Sequence, residues 1–358
     1  MWGFPTIQTM SISSRWFGKS RNGEDVYEYT VKNRKGFGFS VIGYGADLTE
    51  IRVPDKNGNN LDVCLGFSSL ERYEGEQSGC AGAVIGRVGS RISNACFDLD
   101  GETYNLTANN GPNTLHSGDR GFDRRVWNGY EIDDCSVGFE LVSEDGDQGF
   151  PGTLQVNVEY SFSEHNELRI IYYAKTDKPT LCDITNHCYF NLNGHSSSTI
   201  LDHDLQVFAD RILDVGTDLI PTGYFIHTTD IPFGFVMPTS IRKAIEQSQK
   251  YQGIAFHRGI DTNYCLNEDG KIKHAARLSS LSSGIVMDVM TDQPSIHVYT
   301  GMCLDFSGKN GSYYQPYSGI ALLTEHYPDA IHQPGFPSYI LRPGEQYRTE
   351  TTYAFSLM

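Results

Sequence analysis

A chain of 358 residues has room for one large or two ordinary domains and for a sizeable core, to which 21 Tyr and 19 Phe can contribute. Its net charge of −16 argues against nucleic acid or an anionic membrane as partner, because phosphate contacts need clustered Lys and Arg; it suits a neutral small-molecule ligand. No apolar run is long enough to span a membrane, and the first twenty residues lack the apolar centre of a signal peptide. The eight cysteines, at positions 64, 80, 96, 135, 182, 188, 265 and 303, form no C-x-x-C pair and no zinc-like cluster with histidine. Free, mostly buried thiols in a reducing cytoplasm are therefore expected.

In chain order, strands are predicted at 26–32, 38–44, 49–53, 96–106, 154–162, 168–174, 205–208, 285–290, 296–300, 318–325 and 347–357. Each is short, rich in Val, Ile, Tyr, Phe and Thr, and bounded by Gly, Asn, Asp or Pro. Residues 68–74 can form a helical turn or two. Residues 154–162 put Leu154, Val156, Val158, Tyr160 and Phe162 on one face; Glu164, His165 and Asn166 make a turn, and 167–174 returns as the second arm of an antiparallel hairpin. Residues 239–249 read as a helix capped by Thr239 or Ser240. Along 347–357, Tyr347, Thr349, Thr351, Tyr353, Phe355 and Leu357 share a face. No composition break, linker or repeat divides the chain. Many strands and few short helices predict an all-β fold, a large antiparallel β-sandwich in a single domain over residues 1–358.

Residues 184–194, ITNHCYFNLNG, are read as a strand by their period of two. Thr185, His187, Tyr189 and Asn191 fall on one polar face around an imidazole, a candidate acid or base near neutrality. Four further polar stretches stand out: Arg87-Val-Gly-Ser-Arg91; Asn113-Thr-Leu-His-Ser-Gly118 with the arginines that follow it; Gly259-Ile-Asp261-Thr-Asn263-Tyr264; and Leu322-Leu-Thr-Glu325-His326-Tyr-Pro-Asp329. Each alone reads as a turn with a satisfied surface charge. Together with His187 they supply what a sugar needs: directional hydrogen bonds, an aromatic wall and an acid/base pair.

These motifs resemble the aldose 1-epimerase (galactose mutarotase) family almost end to end. The likeness runs through residues 37–67, GRVGSRI (86–92), DGETYNL (100–106), PNTLHSGDRGFDRRVW (112–127), TNHCYFNLNG (185–194), LIPTG (219–223), GIDTNYCL (259–266), VYTGMCLD (298–305) and YPDAIHQPGFPSYILRPGEQY (327–347). The resemblance implies the family's antiparallel β-sandwich, no metal or organic cofactor, and interconversion of the α and β anomers of a free aldose such as glucose or galactose. It places His187 on the family's general acid, His116 on the second histidine of its site, Arg91 on a sugar-binding arginine and Asp261 on a sugar-binding aspartate. A sugar is then the expected partner, bound by a monomer or homodimer.

The sequence departs from the family where the base should stand. Against Leu-Glu-x-Gln-x-x-Pro-Asp it has Leu322, Leu323, Thr324, Glu325, His326, Tyr327, Pro328 and Asp329. The expected Glu is Leu323, and Glu325 takes the place of the Gln. Ser90 replaces an Asn, His297 a Gln, and Thr262 a frequent His. Positions 323 and 325 share a strand face roughly 6.5–7 Å apart. Three readings follow: Glu325 is a relocated base acting with His187; His297 or Asp261 is the base for an unusual sugar; or the chain is a sugar-binding or sugar-isomerising relative with altered or lost mutarotase activity. Of the smaller features, the turn Glu144-Asp-Gly-Asp147 lacks EF-hand spacing and reads as solvated. His326 and His332 are expected to be exposed. No Gly-rich phosphate cradle is present.

Overall fold

The computed structural model describes residues 9–75, 79–249, 258–267 and 269–358. Three antiparallel sheets carry the fold. A nine-stranded sheet runs in the order Asn128–Asp133, Ser136–Ser143, Leu154–Phe162, Glu167–Thr176, Tyr347–Leu357, Ile285–Thr291, Lys273–Ser279, Asp204–Val207, Thr239–Ser240. A six-stranded sheet runs Tyr189–Phe190, Ile320–Glu325, Ser295–Tyr299, Asp261–Cys265, Arg211–Val215, Pro221–His227. A five-stranded sheet takes Ser11–Lys19, Asp25–Lys32, Gly38–Ile42, Leu48–Pro54 and Asn60–Asp62 in chain order.

Alternation explains how the sheets meet. Along Leu154–Phe162 the five apolar residues of one face are buried and those between them are not. Its hairpin partner is Glu167–Thr176, with Phe162 opposite Leu168 and Asn166 at φ +62° in the turn. The last strand repeats the pattern; Tyr347 through Phe355 are buried at every second position, and Leu357 is exposed. These inner faces pack in one apolar cluster with Tyr264, Ile296, Val298, Ile320 and Leu322 of the six-stranded sheet and Phe39, Val41, Leu48 and Ile51 of the five-stranded one. That is a β-sandwich core. The helix predicted at 239–249 spans Ile241–Ser248; Ser240 stands at its N-cap, but its hydroxyl donates to Leu201 O instead of capping. Leu70–Tyr73 forms one further turn.

The stretch 184–194 is not one strand. It is two short ones, Thr185–Asn186 paired with Val84–Ile85 and Tyr189–Phe190 paired with Ile320–Glu325. The chain changes partner at His187, whose amide donates to Ala83 O at 2.8 Å and whose carbonyl accepts from Gly82 N at 3.1 Å. Both faces are buried from Ile184 to Leu192, so alternation marked two interiors and not an inside and an outside. His332 is exposed as expected, whereas His326 is half-buried; each ring hydrogen-bonds a buried aspartate, His326 to Asp183 at 3.2 Å and His332 to Asp329 at 2.7 Å. Against the expectation of mostly buried thiols, Cys303 is exposed in a turn. All eight cysteines are free. Among the described residues no helix is long and apolar enough to cross a membrane, and no cluster of His, Cys, Asp or Glu is placed to hold a metal ion.

Candidate active site

The six-stranded sheet has two different faces. Across its middle three strands Asp261 lies opposite Tyr299, Asn263 opposite His297 and Cys265 opposite Ser295. In turn, His297 lies opposite Leu323 and Ser295 opposite Glu325. Residues at these odd positions look away from the sandwich core, while Tyr264, Ile296, Val298, Leu322 and Ile320 look into it. The outward face floors a cleft of about 290 Å³, at the small end of the range that holds small ligands.

All six residues singled out from sequence line this one cleft: Arg91, His116, His187, Asp261, His297 and Glu325. Tyr189, Tyr299, Leu115, Leu323, Ser90 and the thiol-bearing Cys80 and Cys303 complete its wall. Arg87, the other arginine of its motif, is elsewhere. It is buried beneath the acidic turn and donates to the carbonyls of Ser143, Glu144 and Pro151. The turn itself is tied down, Asp147 by Arg125 and Asp145 by Lys178.

Each reactive group is held by its own geometry. The His187 ring stands edge-on to His116, centroids 5.7 Å apart, and lies 4.9 Å from Tyr189. Its Nδ1 is buried without a hydrogen-bond partner. Burial lowers the imidazole to about 4. His116 sits at φ +51°. Its Nδ1 accepts the amide of Ser90 at 3.1 Å, so the neutral ring carries its proton on Nε2, ready to donate. Burial, then the neighbouring His187 and Arg91, hold its pKa well below the usual value. Arg91 donates from Nε to Asn110 at 3.0 Å. Burial lowers its pKa, opposed by the charges of Asp261 and Glu325.

Glu325 is 1 % exposed. Asn263 Nδ2 donates to Oε1 at 2.8 Å, whereas Oε2 is buried and unpartnered. Burial pushes this carboxyl up to about 7, with Asp183 adding to the rise while His297, Asn263 and Arg91 oppose it. His297 bridges two partners, Asn263 Oδ1 at Nδ1 and Asp261 Oδ1 at Nε2, both at 2.7 Å. Burial works against its charge, but the hydrogen bond and charge of Asp261, with Glu325 behind, raise its pKa overall. Asn263 was named within its polar stretch but given no role, although it shares a strand face with Asp261 two residues away; period two was the available signal.

A family model described as aldose 1-epimerase matches residues 27–354. Galactose mutarotase of Rattus norvegicus is 38 % identical over 350 residues, 97 % of this chain and 99 % of the relative. Aldose 1-epimerase of Escherichia coli K12 is 35 % identical over 331 residues, 91 % and 94 % of the two chains. A solved aldose epimerase homologue from C. elegans superposes with a TM-score of 0.82 at 31 % identity, covering 90 % of this chain and 97 % of that one. With the same sandwich and the same full-length likeness, the chain belongs to the aldose 1-epimerase family.

Proposed function

We propose that this protein is a mutarotase, interconverting the α and β anomers of a free aldose such as galactose or glucose, with His187 and Glu325 as its proton-transferring pair. The observation that carries this reading is that both groups reach one cleft, each with a buried polar atom lacking a protein partner. In the forward step His187 gives a proton to the ring oxygen, Glu325 takes the proton of the anomeric hydroxyl, and the C1–O5 bond breaks. An aldehyde is left at C1 and a hydroxyl at C5. Rotation about C1–C2 and the reverse transfers close the ring on the other face. Arg91, His116, Asp261 and His297 orient the sugar through its hydroxyls, and Tyr189 and Tyr299 offer it aromatic faces.

Opening starts from a protonated His187 and an ionised Glu325 and leaves both neutral. Burial disfavours the charged arrangement and favours the neutral one, so once the charged pair forms beside the sugar, both proton transfers run downhill. Proton transfer by positioned groups is worth about 10²–10⁴-fold. Polarimetry on freshly dissolved α-galactose and α-glucose tests the reading: equilibration should be faster than in buffer, and no acceleration for either sugar would reject it. The sugar-binding alternative has one observation in its favour, the apolar Leu323 at the family's base position, packed with Tyr189 and Leu304. Calorimetric binding of the same sugars without turnover would select it. Location in the cytoplasm and a single-domain monomer or homodimer complete the proposal.

A further inference from the structure

Glu325 does not stand alone in the cleft. A chain of hydrogen bonds runs from Asp261 through His297 and Asn263 to Glu325, with links of 2.7, 2.7 and 2.8 Å. Asn263 is 7 % exposed and is not among the residues lining the cleft. With its amide nitrogen turned to Glu325, its oxygen must accept, so Nδ1 of His297 must donate. A proton cannot cross an amide in that orientation. Asn263 therefore couples the carboxylate to the His297–Asp261 pair electrostatically while keeping their protons apart.

The same bond decides which oxygen is free. Oε1 is engaged, and Oε2 faces Gly89, where a Cβ would lie 3.0 Å from it. We propose that Asn263 is the positioning residue of this cleft: it pins one oxygen of Glu325, reserves the other for the sugar, and ties the carboxylate to His297. The role of the free oxygen rests on the mutarotase reading above; the pinning and the coupling do not.

Several charged or titratable groups surround Glu325. His297 stands on the adjoining strand and Asp261 on the next one beyond it. Asp183 comes from the segment beside the sheet and is bonded by His326, the residue after Glu325, and His187 lines the same cleft. Arg91 and His116 face it across the cleft. Two substitutions change its near partners while preserving shape. Asn263→Asp replaces the donor to Oε1 by an acceptor of like charge. His297→Gln removes the positive group that most opposes the rise. Both should raise the Glu325 titration.

The test is a carbon-13 NMR titration of protein labelled at glutamate carboxyls, with Glu325 assigned by its loss in Glu325→Gln. Each variant should move the midpoint upward by about one unit or more. The alkaline limb of the activity profile should follow, and in Asn263→Asp kcat should fall with KM within about threefold, as expected when positioning rather than binding is lost. Midpoints unchanged in both variants would overturn the inference. So would an Asn263→Asp enzyme with raised KM and unchanged kcat, which would make Asn263 a binding contact. Should Asn263→Asp not fold, His297→Gln decides by the same titration. The titration needs no turnover. An active Glu325→Gln enzyme would sink the base assignment and leave the coupling standing; unmoved midpoints with an inactive Glu325→Gln would do the reverse.

Discussion

At the scale of single residues, His187 and Glu325, the proposed proton-transferring pair, are displaced from their ordinary pKa values in opposite directions by the same cause, removal from water. Between about pH 4 and pH 7 the two groups together carry one proton. Below that window both groups are protonated and no base remains; above it neither carries the proton. A bell-shaped profile of kcat/KM with limbs near those values is expected. Glu325→Gln should lose about 10²–10⁴ in kcat with KM little changed. It should also alter stability. The folded pKa of Glu325 lies above the usual 4.5. The stability present below pH 4.5 is thus lost as pH rises through about 7. Denaturant melts should find Glu325→Gln more stable than the parent at pH 8–9 by up to about 3 kcal/mol, with the difference closing toward pH 4. A parent as stable as the variant at pH 9 would contradict the buried, destabilised carboxylate.

At the scale of the element, one strand separates stability from chemistry. In Ile320–Glu325 every residue is buried, but for two reasons. Leu322 faces the sandwich core, and its carbonyl accepts from Tyr353 at 3.1 Å. Leu323 and Glu325 face the cleft. Leu322→Ala should therefore cost about 2–5 kcal/mol of unfolding free energy in urea melts, while KM for a sugar stays near the parent value. The 154–162 hairpin and the C-terminal strand were legible in sequence because their apolar residues keep a period of two, and Ile320–Glu325 because it is a short apolar run behind a Gly. Asp261–Cys265 was read only as a polar stretch before a Gly turn. Its outer face is cleft, so the residues there are polar and the alternation is weak. Ser136–Ser143 was also missed; its core face is Val137, Phe139 and Leu141, but Gly138 and flanking serines dilute the signal.

At the scale of the molecule, the cleft is assembled from distant parts of the chain. Arg91, His116, His187, Asp261, His297 and Glu325 come from six segments spread over more than half its length. A ligand that occupies it only in the folded state must stabilise the whole. Galactose at a hundred times its dissociation constant should raise the unfolding free energy by about 2.7 kcal/mol. A melt indifferent to every monosaccharide tried would remove the sugar site itself.

Sequence alone determined the sandwich class, the family and the identities of the six polar residues, because strand period, turn residues and motif order are local properties that survive without coordinates. Only the tertiary structure decided that Glu325 shares the His187 cleft, that Arg87 does not, and that Asn263 links the carboxylate to His297. Those facts depend on which strands lie side by side and in what register, and on which side chains pairing removes from water. No local pattern carries that information.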